Sequence, residues 1–424
     1  MKSLLPSILL TISLFIFSQA IGQQRFPKPE FETGYEQPSP TQPEPRGLAM
    51  EWMDVLVLLG ALSLASWLAI KRRSRRGILW LSIFTLLYFG FYREGCICSI
   101  GAIQNVTLAL FDPAYTISVT VLIFFLLPLV FALFYGRAFC AGACPLGAIQ
   151  DLLIIQPVSV PSWVRKTLAF IPYIYLGFAV LFAATRTDFL ICRYDPFVGI
   201  FRMDAPYIMI VLGGAFLLLG MVFARPYCRI FCPYGVLLSW MSRFSKWHLT
   251  ITPTDCISCR LCENSCPFDA IESPVDEKIR TEASVKKNMK RFSIYALLIP
   301  LWMAAGGFAL SKAHVMLSRA NPDVYLAELL ITHPEVKEDL DNIDVQTFLE
   351  SGKSMEQLVD EASLIRGKFK KGGWYLGSFL GLVIGLMIMN QFVMRKRSIY
   401  EPHKGDCFSC GRCMEYCPVK EKIK

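Results

Sequence analysis

A Cys-x-x-x-Cys-Pro pattern occurs four times in this chain of 424 residues, and it constrains the fold more than any other feature. The last two copies are each preceded by Cys-x-x-Cys-x-x, so they read C-x2-C-x2-C-x3-C-P. That spacing is the ligand run of a bacterial-type 4Fe–4S cluster, and it predicts an iron–sulfur protein. The first cysteines of the four copies are Cys140, Cys228, Cys262 and Cys413.

The composition places these clusters at a membrane. Hydrophobic residues make up 54% of the sequence and charged residues only 18%, whereas a soluble protein carries about 25% charged residues. Several apolar stretches approach the roughly 20 residues that a spanning helix needs, which predicts an all-α, multi-pass membrane protein. The seven predicted spans are 52–70, 78–92, 116–135, 168–185, 207–223, 292–310 and 375–394.

The amino-terminal segment has the features of an export signal. Leu4–Phe17 is apolar, follows Lys2 and ends at a small-x-small site, so residues 1–20 are predicted to be a signal peptide or signal anchor. Residues 21–50 are rich in Pro, Gln and Glu and are predicted to be an exported linker.

Basic clusters between the predicted spans indicate the orientation. If the mature amino terminus lies outside, the clusters all fall on one side, which the positive-inside rule makes cytoplasmic. We therefore expect a bacterial inner-membrane protein with a cytoplasmic carboxyl terminus. Nucleic acid is not an expected partner, because the clusters abut apolar spans facing lipid. The clusters are Lys71–Arg76, Arg165–Lys166, Lys286–Arg291 and Arg395–Arg397.

Both complete cysteine runs fall on the cytoplasmic side in this topology. Residues 251–291 and 395–424 are therefore expected to fold together as one ferredoxin-like domain with two 4Fe–4S clusters, in which the fourth cysteine of each run ligates the other cluster. A four-cysteine zinc site is the alternative, but this spacing suits tetrahedral zinc poorly. The expected ligand sets are Cys256, Cys259, Cys262 and Cys417, and Cys407, Cys410, Cys413 and Cys266.

The membrane core, residues 51–250 with five spans, contains an internal repeat. Each unit has a helix, an external loop with cysteine and Asp-Pro, a second helix, and then C-x3-C-P-x-G. Such self-similarity predicts a pseudo-symmetric helix bundle. The two Asp-Pro pairs are Asp112-Pro113 and Asp195-Pro196.

The cysteines of this repeat leave two interpretations open. If each pair begins a short helix, its two thiols share a face, and the symmetry of the repeat brings four thiols to a third metal site. Arg137, Arg225 and Arg229 then favour thiolates. In the other interpretation the thiols stay reduced and shape a loop that docks the ferredoxin domain. The four cysteines are Cys140, Cys144, Cys228 and Cys232.

Three of the 15 cysteines remain, and they lie near the predicted outer face. An exported compartment permits a disulfide between Cys192 and either Cys96 or Cys98. The alternative is an outer redox site with one non-cysteine ligand. A redox site at this face has a physical reason: an apolar core of about 30 Å separates it from the cytoplasmic clusters, which is too wide for one electron hop.

Other cofactors lack support in the sequence. Haem is not expected, because no histidine lies in a predicted span and no Cys-x-x-Cys-His occurs. NAD binding and ATP coupling are not expected either, because the chain has no glycine-rich dinucleotide fingerprint and no P-loop. The histidines are His248, His314, His333 and His403.

Residues 311–374, between the last two spans, are predicted to form an exported helical module. Asn321-Pro322-Asp323 begins one helix, Val345–Ser351 forms another, and Ser354 opens a third that reaches about Gly367 through a capping-box pattern. We expect either a structural cap over the outer face or a docking surface for an exported redox partner.

The paired C-x3-C-P motifs and the split ferredoxin runs resemble the NosR/NapH-type membrane polyferredoxins, and NosR-like proteins most closely. The resemblance covers roughly residues 75–270 and the carboxyl-terminal tail. It implies respiratory electron transport, from a cytoplasmic donor or quinol to an exported FMN-binding protein or reductase. The chain departs from NosR-like proteins in one respect: a Pro-rich linker stands where they carry a flavin-binding domain, so no covalent flavin is expected on this chain.

We expect an electron-transfer subunit rather than a stand-alone enzyme. Two other functions stay open at this point. One is a redox-sensing or metal-centre maturation factor for a respiratory reductase, and the other is a cupric-ion reductase.

Overall fold

The chain is mostly helical, as predicted, and only one small sheet interrupts the helices among the described residues. The computed structural model describes residues 47–95, 98–155, 157–158, 160–203, 205–251, 256–274, 282–333, 342–393, 397 and 399–419. The predicted signal segment 1–20, most of the linker 21–50, and Cys96 lie outside these residues. The chain from Leu48 onwards forms one compact unit.

Twelve α-helices build the core that holds the repeat. Helix α2 continues into a π-helical turn over Leu86–Tyr92, and a second π-helical turn covers Phe139–Ala143. The helices of the core are α1 (Leu48–Ile70), α2 (Arg75–Thr85), α3 (Ala102–Phe111), α4 (Val119–Tyr135), α5 (Pro145–Leu152), α6 (Ser162–Leu168), α7 (Ile171–Ala184), α8 (Leu190–Tyr194), α9 (Pro196–Arg202), α10 (Tyr207–Val222), α11 (Pro226–Ile230) and α12 (Pro233–Arg243).

The carboxyl-terminal half alternates between long helices and short elements. Its elements are α13 (Leu261–Ser265), β1 (Ile271–Glu272), α14 (Glu282–Lys312), α15 (His314–Ser318), α16 (Pro322–Thr332), α17 (Ile343–Glu350), α18 (Met355–Asn390), β2 (Glu401–Pro402) and α19 (Arg412–Glu415).

The number of candidate membrane spans differs from the seven predicted. Four helical segments of the described chain are long and apolar enough to cross a membrane, and a fifth joins them if α9 and α10 form one broken span. The predicted span 116–135 corresponds to α4, whose 17 residues are only about 26 Å long, short of the roughly 30 Å apolar core. The predicted span 78–92 changes from α-helix to π-helix at Leu86. The four segments are Leu48–Ile70, Trp163–Ala184, Asn288–Lys312 and Met355–Asn390.

Helices α14 and α18 pack backbone to backbone. A Cβ built on Gly377 lies 2.0 Å from the Gly306 carbonyl oxygen, and one built on Gly381 lies 2.2 Å from the Trp302 carbonyl oxygen. Only glycine permits such an approach between two membrane helices. The first ferredoxin segment precedes α14 and the second follows α18, so this hairpin brings both segments to one end of the bundle.

Those two segments, residues 256–274 and 399–419, meet in the short sheet. Strands β1 and β2 pair antiparallel with Ile271 opposite Pro402, and the His403 amide donates to the Ala270 carbonyl at 2.8 Å. Helix α13 packs against α19. We call the end of the bundle that carries these segments the ferredoxin end.

The module between α14 and α18 lies at the opposite end, which we call the far end. Asn321 caps α16 and its amide also donates to the Thr187 hydroxyl at 3.3 Å, just before α8. Ser354 and Gln357 form the predicted capping box. The expected helix end near Gly367 was wrong, because α18 continues to Asn390: Gly372 and Gly373 let neighbouring helices pack closely against it, and no proline interrupts it.

Candidate iron–sulfur centres

The first predicted ligand set converges in the structure. Cys256, Cys259, Cys262 and Cys417 line one small cavity at the ferredoxin end, together with Tyr400. Three of the thiols come from the first run and the fourth comes from the second. The structure therefore gathers the thiols across the two runs, as the predicted ligand set requires.

The second predicted set also converges. Cys266, Cys407 and Cys410 pack in one buried cluster beside Phe268 and Phe408. Burial raises the pKa of the Cys413 thiol, and its neighbours Cys407, Cys410 and Cys266 raise it further, because a thiolate at Cys413 lies beside other negative charges. Cys413 thus lies close to the other three thiols of its set.

Both runs coil in the same way. Ser258 and Arg260 of the first run have φ of 55° and 62°, and the equivalent Ser409 and Gly411 of the second run have φ of 53° and 75°. These left-handed residues bend the chain tightly between successive cysteines. The shared conformation directs the three cysteines of each run toward one point.

The four cysteines of the membrane repeat line a third, enclosed cavity. It lies between the two repeat units and is otherwise walled mainly by apolar and aromatic side chains, Tyr227 and Tyr234 among them. The interpretation that the repeat brings four thiols together thus matches the geometry. We call this the four-thiol cavity, and its cysteines are Cys140, Cys144, Cys228 and Cys232.

The local structure differs from the predicted helical pairs. Cys140 lies in a π-helical turn and Cys228 in α11, while Cys144 and Cys232 are the N-cap residues of α5 and α12. Proline follows each N-cap cysteine because the first helical position needs no backbone N–H. Each thiol pair therefore straddles a helix start, not one helical face.

The arginines of the two units cross over the cavity. The Arg225 guanidinium lies 3.4 Å from a Cβ built on Gly147, and that of Arg137 lies 3.2 Å from a Cβ built on Gly235. Arg225 also donates to the Cys140 carbonyl oxygen at 2.6 Å. The glycine of each C-P-x-G motif thus leaves room for the arginine of the other unit.

The charges of the cavity suit an anionic group. The Nε atoms of Arg137 and Arg225 are buried without a hydrogen-bond partner, and a buried cation needs a compensating negative charge. Burial raises the pKa of Cys228 to about 12, although Arg225 and Arg137 lower it. Metal coordination deprotonates such a thiol outright, so a thiolate-ligated cluster fits this donor set.

The described residues contain no group of three or more His, Cys, Asp or Glu side chains placed to hold a single metal ion. A tetrahedral zinc site needs sulfur atoms about 3.8 Å apart, because each Zn–S bond is about 2.3 Å. A 4Fe–4S cluster spreads its four ligands more widely, since four irons lie between them.

A buried carboxylate ties the repeat core to the ferredoxin segments. Asp151 contacts Arg75 at 2.5 Å, Arg412 at 3.4 Å and Arg225 at 3.5 Å. Burial alone raises the pKa of Asp151, but the three guanidinium groups outweigh it and hold the pKa below its usual value. Asp151 therefore stays ionised and links helix α2, the four-thiol cavity and the second cysteine run.

One of the three predicted thiolate-stabilising arginines acts elsewhere. Arg229 lies 3.5 Å from the Asp269 carboxylate and stacks on Phe223. Arg165 reaches the same carboxylate at 3.5 Å. Arg229 also donates to the Pro267 carbonyl at 3.5 Å, so it contacts the first ferredoxin segment at two points.

The far end has a cavity of about 240 Å³. Cys98 and Cys192 line it with Asp54, Arg93 and Asp195 among others. Cys98 carries a free thiol in the described structure, and a Cys98–Cys192 disulfide stays a prediction. The alternative bridge to Cys96 and any role of Cys96 in a metal site lie outside the described residues.

Several residues of these sites were not predicted. Phe408 follows the first cysteine of its run and lies between the two crossed arginines, 4.2 Å from the Arg137 Cζ and 5.5 Å from that of Arg225. The sequence could have indicated Phe408, because it is an aromatic residue directly after a predicted ligand cysteine. The sequence did not indicate the ion pairs of Asp151, because its arginine partners are distant in the chain and meet only in the tertiary fold.

Comparisons with known proteins agree with this geometry. A family model described as a 4Fe-4S binding domain matches residues 117–166 and 205–252, and each range contains one cysteine pair of the four-thiol cavity. Another 4Fe-4S binding domain model matches residues 249–272, which contain the first ferredoxin run. No solved structure matches the chain.

Several curated proteins are similar over part of their length. The putative electron transport protein YccM of Escherichia coli is 26% identical over 36% of this chain and 46% of its own. Protein NirI of Paracoccus denitrificans is 27% identical over 53% of this chain and 35% of its own length. The regulatory protein NosR of Stutzerimonas stutzeri is 29% identical over 47% of this chain and 29% of its own length. The chain thus spans less than half the length of each of these relatives.

The resemblance to NosR-like polyferredoxins is confirmed by these relatives together with the 4Fe-4S binding domains. Over these regions the chain is similar to the NosR/NirI-type polyferredoxins.

Proposed function

We propose that this protein is a membrane-bound electron-transfer subunit that holds three 4Fe–4S clusters. The first two sit on the cross-paired ferredoxin sets and the third on Cys140, Cys144, Cys228 and Cys232. One observation carries the proposal: three sets of four thiols lie one after another from the ferredoxin end into the helix core. A 4Fe–4S cluster, when bound, supplies the uptake and release of single electrons.

The protein's own residues fix the spacing of the three sets. The second set is adjacent to the first, because Cys262 influences the pKa of Cys413. It is also adjacent to the four-thiol cavity, because Cys140 and Cys228 pack against the same buried cluster as Cys266 and Cys407. Such contiguity is what a conduit for electrons needs, and a scaffold for isolated cofactors does not need it.

The far-end cavity continues this series. Tyr227 lines the four-thiol cavity, and its hydroxyl donates at 2.9 Å to Asp195, which lines the far-end cavity. Cys98 and Cys192 stand at the same place. We propose that electrons leave or enter the protein here, through a redox site that includes these thiols.

The ferredoxin end is proposed to face the cytoplasm of a bacterial cell. Basic residues of the predicted inside loops contact the ferredoxin segments: Arg73 donates to the Ile251 carbonyl and Arg75 to the Cys410 carbonyl, both at 3.4 Å. The positive-inside rule makes this basic end cytoplasmic. The donor is then a cytoplasmic protein or quinol, and the acceptor is an exported FMN-binding protein or reductase.

A conduit makes a prediction for sealed vesicles. Proteoliposomes that enclose a membrane-impermeant electron acceptor are supplied with a membrane-impermeant reductant outside. With the intact protein the enclosed acceptor should be reduced, and with Cys228→Ser the rate should fall to that of vesicles without protein. Equal rates for both proteins would contradict the proposal.

A second function is favoured by the similarity to a relative named regulatory protein NosR. In that case the clusters report on redox state or serve the maturation of a reductase's metal centre. This function predicts clusters that are reduced once by the external reductant while the enclosed acceptor stays oxidised.

A further inference from the structure

We propose that Arg137 and Arg225 form a crossed cationic bridge that sets the redox potentials of two adjacent centres, the four-thiol site and the second ferredoxin set. The inference rests on the proposed function, because it takes both thiol sets to carry clusters. It assigns the two arginines as positioning residues that act on the centres through charge and through the docking of Phe408.

The bridge follows the symmetry of the repeat. Arg137 and Arg225 each stand three residues before the first cysteine of their motif. Each reaches the other unit, where the glycine of the C-P-x-G motif leaves space for the guanidinium. One arginine in each unit therefore serves the opposite unit, and neither unit is complete alone.

Both arginines also reach the second ferredoxin segment. Arg137 donates to the Gly405 carbonyl at 3.2 Å, and its guanidinium lies over the Phe408 ring. Arg225 lies over the same ring and over Phe268 at 5.6 Å. A guanidinium over an aromatic face is attracted by the ring's negative face. Phe408, next to Cys407, is thereby held between the two centres.

Two carboxylates face the arginines of this layer, Asp151 beside Arg225 and Asp406 near Arg137, and each is shared with further cations. Arg225 is fully buried, and Asp151 lies 3.5 Å from it while also serving Arg75 and Arg412. The Arg137 guanidinium lies 3.8 Å from the Cys140 sulfur. Thiolates on either side of the layer supply further negative charge.

The backbone conformation at Arg225 supports the bridge independently of the side-chain contacts. Its φ and ψ are 50° and 61°, a left-handed conformation that non-glycine residues rarely adopt. This conformation directs the side chain back across the cavity toward Cys140. Strain of this kind is kept where the surrounding structure needs one particular side-chain placement.

A buried cation favours the more negative, reduced state of a nearby centre, so removing it should lower the midpoint potential. We expect Arg225→Gln and Arg137→Gln each to shift the redox equilibrium of the four-thiol centre about tenfold toward oxidation, which is about 59 mV for one electron. The second ferredoxin centre should shift by less. The centre on Cys256, Cys259, Cys262 and Cys417 should not shift.

The test is an EPR-monitored redox titration of the full-length protein in detergent, with the iron content of each variant measured first. Arg319→Gln is the control for loss of an arginine, because Arg319 pairs with Glu328 in the far-end module, at the opposite end from the ferredoxin sets. Arg225→Lys is the conservative variant, since lysine keeps the charge and loses only the planar fork. The midpoint potentials of the Arg225→Lys variant should stay close to those of the wild type.

The possible outcomes are distinct. Lowered potentials in Arg225→Gln and Arg137→Gln at full iron content, with Arg319→Gln and Arg225→Lys near wild type, support the bridge. Unchanged potentials at full iron content overturn it and leave the proposed function intact. Equal shifts in the control overturn it too, and so does loss of iron in both Arg225→Gln and Arg225→Lys, which indicates a purely structural role. A wild-type iron content of about eight atoms removes the third centre and the bridge together.

Discussion

Tyr227 donates its hydroxyl hydrogen to the Asp195 carboxyl at 2.9 Å, and this bond joins the wall of the four-thiol cavity to the wall of the far-end cavity. Both side chains are buried. The other donors to Asp195 are the amides of Phe197 and Val198, which begin α9. Tyr227 thus links α11, next to a proposed ligand, to the opposite end of the core.

Removal of the Tyr227 hydroxyl should destabilise the protein. In Tyr227→Phe the buried carboxyl loses its only side-chain donor in the described structure, and we expect a loss of about 1.5–3 kcal/mol in the free energy of unfolding. Thermal unfolding in detergent measures it. Tyr234→Phe is the matched control, because its hydroxyl donates to a neutral carbonyl at 2.7 Å and should cost about 0.5–1.5 kcal/mol. An equal or smaller loss in Tyr227→Phe would show that the carboxyl does not depend on this bond.

The helix hairpin that unites the ferredoxin segments should fail when its closest contact is filled. A side chain at Gly377 meets the Gly306 backbone, so Gly377→Val should separate α14 from α18 and cost at least about 3 kcal/mol. We expect a lower Tm and loss of iron from both ferredoxin centres, since each centre draws thiols from both segments.

The control for this prediction lies on the same helix. A Cβ on Gly367 has nothing within 4 Å, so Gly367→Ala should be neutral or should stabilise α18 by up to about 1 kcal/mol. If Gly377→Val retains its iron and its Tm, the hairpin does not hold the two segments together.

Asp151 should make the protein sensitive to acid. A carboxyl whose pKa is lower in the folded state adds stability above its unfolded pKa of about 3.9, and this stability is lost as the pH falls through that value toward the folded pKa. Asp151→Asn should therefore cost about 3–5 kcal/mol at neutral pH and lose less on acidification than the wild type.

Measurement of Tm against pH for both proteins tests this. Asp188→Asn is the control, because Asp188 forms an exposed pair with Arg193 that is worth at most about 1 kcal/mol. Parallel Tm curves for wild type and Asp151→Asn would mean that the carboxyl is not the source of the acid sensitivity.

Cysteine spacing was informative because it encodes local geometry. The two ferredoxin runs carry their own turn conformation at Ser258 and Ser409, so the sequence pattern alone predicts which thiols converge within a run. The Pro after Cys144 and Cys232 likewise marks a helix start. These features depend on neighbouring residues, and they could be read without the fold.

Other features depend on contacts between distant residues. Arg137, Arg225 and Arg229 all lie near the repeat cysteines in sequence, yet Arg229 pairs with Asp269, because the ferredoxin segment brings that carboxylate near. The extension of α18 past Gly367 and the short length of α4 relative to a membrane span also follow from packing. A periodicity argument cannot supply such long-range partners.

The number of clusters tests the central claim most directly. Anaerobically purified protein is analysed for iron and acid-labile sulfide and examined by EPR, beside the double variant Cys140→Ser/Cys228→Ser. The account predicts about twelve iron atoms per chain in the wild type and about eight in the variant, with both ferredoxin signals retained. About eight iron atoms in both proteins would contradict it, since the four-thiol cavity would then hold no cluster.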